Sequence, residues 1–168
     1  MADYNTSFVY LMGFEDSHPF PGKVTTDAGG RTRFGIAERW YKSMVPDNFY
    51  TTMPTADAFM FASKFYKDQY WTKFQGDGIS SQPLADHMMS WSVNLGLIRV
   101  VKWAQSCVDV NIAQDGNVGQ LTLKYWNQDP DEVLARLRLI VKSHYLQRAK
   151  ESTDIASQIN GLLRRADE

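Results

Sequence analysis

Hydrophobic residues recur along the chain mostly at helical spacing, and strand-like alternation is nearly absent. Tyr4, Phe8, Leu11 and Met12 share one face of a predicted helix over 4–14, which ends at the acidic pair Glu15-Asp16. The pattern returns over 35–44, where Pro46 stops it. It returns again over 55–74, where Phe59, Ala62, Tyr66 and Tyr70 line one face, Thr55 is placed to cap and Gly76 ends the run. Two apolar helices, 83–95 and 97–108, meet at Gly96, and a turn at 114–117 precedes a short helix over 119–127. Asp129-Pro130-Asp131-Glu132 joins an N-cap, a proline at the first helical position and a capping-box glutamate. The helix it opens carries Leu134, Leu137, Val141 and Tyr145 to about Lys150, and a last helix spans about Asp154 to Arg164.

Residues 15–34 break the pattern. Pro19, Pro21, Gly22, Gly29 and Gly30 stand among polar and β-branched residues there, which allows a small irregular β-hairpin or loop near residues 22–34. Long structured loops inside compact domains are more often functional than connecting. The expected fold is mostly α, a single domain with one irregular insertion.

The chain has 168 residues, 43% of them hydrophobic, enough to bury a core without disulfides or a structural metal. Lys plus Arg number 18 against 19 Asp plus Glu, a net charge of −1 that gives no electrostatic case for nucleic acid. The single cysteine, Cys107, cannot form an internal disulfide and reads as a small core residue. His18, His87 and His144 are scattered, CxxC pairs are absent, and no metal or cofactor is expected. Asp115-Gly116 reads as a turn, since the rest of a calcium loop is missing. The apolar run Phe8–Phe14 is too short for a signal peptide or a membrane span. Cytoplasmic synthesis without a signal peptide, and no stable membrane insertion, are expected.

Candidate chemistry concentrates in the broken stretch. Glu15 closes an apolar helix, Asp27 lies in a glycine-rich loop, and Thr32 follows five positions later. Glycosidic cleavage asks for two carboxyl groups in different settings, one kept protonated to donate to the leaving oxygen and one ionised. Composition alone also allows a solvated helix end followed by an ordinary turn.

The string resembles the N-terminal signature of the glycoside hydrolase family 108 N-acetylmuramidases. That pattern is a helix ending in Glu-Gly-Gly-Tyr, followed by Asp-x-Gly-Gly-x-Thr-x-x-Gly-Ile. Asp27, Gly29, Gly30, Thr32, Gly35 and Ile36 match the second half, and Glu15 matches the family's catalytic glutamate. Asp16-Ser17-His18 replaces Gly-Gly-Tyr. Downstream, Tyr66 to Trp71 is similar to the family's Tyr-x-x-x-Tyr-Trp. Trp91-Ser92-Val93-Asn94-Leu95-Gly96 is similar to its Val-Asn-x-Gly stretch, with Ser90 where Asp is common. Lys102 to Thr122 looks like the family's peptidoglycan-binding half, and Gly161-Leu162-Leu163-Arg164-Arg165 resembles its terminal Gly-Trp-x-x-Arg.

The resemblance implies a lysozyme-like domain with a catalytic half over 1–93 and a peptidoglycan-binding-like helical half over 94–165. It implies hydrolysis of the β-1,4 bond between N-acetylmuramic acid and N-acetylglucosamine, with Glu15 as general acid and Asp27 and Thr32 assisting. The corresponding expectation is a monomeric endolysin of phage type. It would act on peptidoglycan glycan strands after release by a holin or a dedicated exporter. Tyr70, Trp71, Asn94 and His18 are candidate substrate contacts. For the aromatic residues the competing reading is core packing; for Asn94 it is a buried structural clamp; for His18 it is an exposed loop. A catalytically silent wall-binding homologue and a lytic transglycosylase remain the alternative functions.

Overall fold

Aromatic side chains fill the centre of the molecule: Trp71, Trp91, Trp126, Tyr66, Phe34, Phe49 and Phe74 are all fully buried. The computed structural model describes residues 1–16, 19–27 and 30–167, with Asp27 in its backbone only. Helix α1 (Tyr4–Glu15) is capped by Asp3, whose side chain accepts the Thr6 N–H at 2.9 Å. The helix packs along α4 (Gln82–Leu95), while Tyr4 and Phe8 of its buried stripe meet the rings of Trp71, Phe59 and Tyr66. Gly96, at φ +96°, turns α4 into α5 (Leu97–Ser106), as the sequence indicates. Helix α6 (Gln120–Trp126) is followed by α7 (Pro130–Glu151), where Asp129 caps through the Glu132 N–H at 3.1 Å. Helix α8 (Thr153–Asp167) folds back along α7. Cys107 is buried as expected, and burial pushes its thiol up to about 11.

The irregular stretch contains a three-stranded antiparallel sheet in the order β1 (Thr25–Asp27), β2 (Gly30–Arg33), β3 (Ile36–Ala37). Thr25 pairs with Thr32, and Arg33 with Ile36. The third strand corrects the helix expected over 35–44. Ile36 is fully buried and extended against Arg33, so helix α2 is reduced to Glu38–Tyr41, with a 3-10 turn at Lys42–Met44. Tertiary pairing overrides the local period there. Between β2 and β3, Phe34 (φ +49°) and Gly35 (φ +74°) form a two-residue hairpin turn of the I′ kind, whose twist suits antiparallel strands.

The predicted helix over 55–74 is α3 (Thr55–Tyr66), continued by a π-helical turn at Lys67–Trp71. Pro54 rather than Thr55 occupies the cap position, without a side-chain bond. The widened turn closes where the Thr72 N–H donates to the Lys67 carbonyl at 2.9 Å, and it buries both Tyr70 and Trp71.

Candidate active site

Glu15 stands three and four positions after Met12 and Leu11, so the buried stripe of α1 carries its side chain inward and leaves it 18% exposed. Its Oε1 accepts from Arg165 Nη2 at 2.6 Å. Arg165 is itself fixed: Nε donates to Ser90 Oγ at 2.9 Å, Nη2 reaches the Ser90 carbonyl at 3.3 Å, and the guanidinium lies 5.0 Å from the Phe14 ring centre. The last turn of α8 thus holds the last residue of α1 through a charge-assisted hydrogen bond.

The other carboxylate oxygen, Oε2, lies against Gly35. A Cβ at residue 35 would sit 2.7 Å from Oε2 and 2.7 Å from the Tyr66 hydroxyl, so only glycine admits both groups. Tyr66 donates to the Phe34 carbonyl at 3.0 Å. Burial, reinforced by the charge of Glu15, holds the Tyr66 hydroxyl well above its usual range and keeps it a proton donor.

A cleft of about 270 Å³ opens beside this cluster, with Glu15, Asp16, Lys23, Thr25, Thr32 and Gly35 on its walls. The β1–β2 pairing brings Thr32 to the same cavity as Glu15, 17 positions apart in the chain. Asp16 Oδ2 accepts the Gly22 N–H at 2.9 Å and pins the incoming loop. Buried Arg33 holds that loop from the other side, donating to the carbonyls of Gly22, Phe49 and Met53 at 2.9, 2.7 and 2.9 Å. Asp27 closes β1 opposite Gly30; its side chain and all of His18 lie outside the described residues.

A second, larger groove of about 840 Å³ runs along Tyr41, Tyr70 and the α4–α5 corner. The hydroxyls of Tyr41 and Tyr70 are 2.8 Å apart, and the Tyr66 and Tyr70 ring centres are 5.9 Å apart. Burial raises the Tyr70 hydroxyl above its ordinary range, the bonded Tyr41 hydroxyl adds to the shift, and the charge of Glu15 contributes least. Tyr70 lines the groove, and its ring packs on Tyr66, whose hydroxyl lies beside Gly35. Trp71, the next residue after Tyr70, does not line it: it is fully buried, and its indole N–H donates to Asp77 at 2.8 Å. Trp71 is a core residue and presents no surface to a ligand. Asn94 differs from the buried amide expected, being exposed on α4 and accepting from the Tyr145 hydroxyl at 2.8 Å.

Within one region the fold collects a half-buried carboxylate, a hydroxyl across a cleft, and a fixed cation behind the carboxylate. That arrangement can hold a polar ligand at the cleft and exchange a proton with it. Residues 22–96 match the family model of glycosyl hydrolase 108. A glycosyl hydrolase 108 domain indicates a glycoside hydrolase. The match takes in Thr32, Gly35, Tyr66, Tyr70 and Asn94, while Glu15 precedes it and Arg165 follows it. Among solved structures, "Structure of Brucella abortus SagA" is similar at a TM-score of 0.66 and 20% identity, over 97% of this chain and 92% of that one. At that identity the likeness concerns the fold, a lysozyme-like helical domain with a small sheet. No curated protein matches the chain.

Sequence reasoning gave no role to Arg165 or Tyr66. Arg165 aligns with the arginine of the terminal Gly-Trp-x-x-Arg string, which was the available signal.

Proposed function

We propose that this chain is a peptidoglycan hydrolase cleaving the β-1,4 bond between N-acetylmuramic acid and N-acetylglucosamine, with Glu15 as general acid. The observation that carries the reading is Glu15 itself, fixed by Arg165 through one oxygen and facing a cleft it shares with Thr32. Glu15 in its protonated form donates to the glycosidic oxygen as the bond to the muramic acid carbon breaks, and water adds to that carbon, its proton passing to a carboxylate of the site. Asp27 supplies the second carboxylate, and Thr32 holds the attacking water. Tyr70 lines the path of the strand, and residues 94–165 add wall contacts around the groove.

The glycosyl hydrolase 108 match over 22–96 supports a peptidoglycan substrate. Among the described residues no helix is long and apolar enough to cross a membrane. We read the protein as acting on the cell wall in the manner of a phage endolysin, as a monomer, with release left to a holin or an exporter.

Reducing ends released from purified sacculi test the assignment. Glu15→Gln keeps an oxygen for Arg165 and is expected to retain the fold while losing about a thousandfold in rate. A Glu15→Gln protein as fast as the parent would refute it. Muropeptide products bearing free reducing ends, not anhydro rings, mark hydrolysis over transglycosylation.

A further inference from the structure

Among the described residues, the larger groove is lined by cations and by no carboxylate. It is an open groove of about 840 Å³. Leu95, Leu97, Ile98 and Val118 make an apolar flank, and two exposed cations, Lys73 and Arg99, stand on its walls. Lys73 Nζ donates to Gln69 Oε1 at 2.9 Å, and Arg99 Nη1 donates to the Leu95 carbonyl at 3.2 Å. Neither joins an ion pair among the described residues, and no carboxylate lines the groove there.

Two tyrosines separate the groove from the site, and the inner one, Tyr66, is fully buried. Tyr70 lines the groove, Tyr66 packs on Tyr70, and the Tyr66 hydroxyl lies beside Gly35 against Glu15. On the muramidase reading, a strand several sugars long that is cleaved at Glu15 would run from the smaller cleft toward this groove. Its sugars are uncharged, because the lactyl carboxyl of each muramic acid is tied up in an amide with the stem peptide. The anions of the strand are the free carboxylates of that stem.

We propose that this groove receives the acidic stem peptide, with Lys73 and Arg99 contacting its carboxylates, so that peptide-bearing glycan is preferred over bare glycan. The inference rests on the muramidase reading above. Charge complementarity of exposed groups speeds encounter and tightens substrate binding, so its effect belongs in KM and fades with salt. The apolar flank would carry the side chains and methyl groups of the peptide.

Three substrates test it: glycan strands with intact stems, the same strands stripped by an amidase and then converted to amides at the lactyl carboxyls that this frees, and intact strands whose stem carboxylates are converted to amides. Intact strands should show a kcat/KM about tenfold above the other two at low salt, with the gap shrinking as salt rises. Lys73→Gln and Arg99→Gln should each raise KM on intact strands about threefold, and the double variant about tenfold, bringing the ratio between intact and stripped strands toward one. Equal kcat/KM on all three substrates overturns the inference and leaves the muramidase reading standing. So does a double variant that keeps the parent's ratio. No reducing ends from any of the three overturns both.

Discussion

Arg165 and Glu15 meet at 2.6 Å across 150 positions of sequence, and both are largely shielded, with side chains 10% and 18% exposed. Removing the cation from such a pair strands the partner and unties the orientation of the carboxylate. Arg165→Met is expected to lower kcat about tenfold or more with KM little changed, and to lower stability by about 2–3 kcal/mol. Steady-state kinetics and thermal unfolding read the two effects separately. Adding Glu15→Gln to that background should recover part of the stability, because no buried charge is then left alone. At this scale the sequence was informative where function depends on neighbours in the chain. Glu15 and Thr32 lie at fixed spacing in one string, and both reach the cleft. Arg165 was opaque because its meaning comes from a partner at the other end of the molecule. Tyr70 and Trp71 were indistinguishable as adjacent aromatics until the π-helical turn placed one at a groove and the other in the core.

Among the elements, the two-residue turn between β2 and β3 sets the floor of the site. Gly35 combines φ +74° with a space in which a Cβ would lie 2.7 Å from both Glu15 Oε2 and the Tyr66 hydroxyl. Gly35→Ala should therefore lose about 1–3 kcal/mol of stability and at least tenfold in kcat, by strain and by displacing the carboxylate. Gly13 is the control. It lies in α1 with ordinary helical φ and nothing within 4 Å of an added Cβ, so Gly13→Ala should stabilise by about 0.5–1 kcal/mol. Chemical denaturation of the two variants checks the contrast. Long periodic helices were legible because their buried stripes are written at regular spacing, as in α1, α4 and α7. The two-residue strand Ile36–Ala37 was not, since a segment that short carries no period and is fixed by its pairing with Arg33.

For the molecule as a whole, burial of titratable groups limits stability at both ends of the pH scale. His87 is buried, with Nδ1–H donating to the Pro83 carbonyl at 2.8 Å and Nε2 accepting from Arg138 Nη2 at 3.1 Å. Burial, assisted by Arg138, lowers its pKa from 6.5. The unfolded chain therefore binds the proton first, and stability falls as pH drops below about 6.5, by at most about 1.4 kcal/mol per pH unit for one group. Melting temperature followed from pH 7 to pH 5 should show this slope, and His87→Gln should flatten it. On the alkaline side, burial pushes Tyr4, Tyr50 and Tyr145 up to about 12 from the ordinary 10. Their contribution is complete below pH 10 and is lost as pH rises from there through about 12.

If Glu15 is the proposed acid, the clasp between the last turn of α8 and the last residue of α1 also sets when it becomes competent. Glu15 leaves the ribosome 150 residues before its arginine. A nascent chain thus carries its acid without the group that aims it. On the proposed function, competence arrives only after Arg165 has been made, and the acid stays unaimed until then.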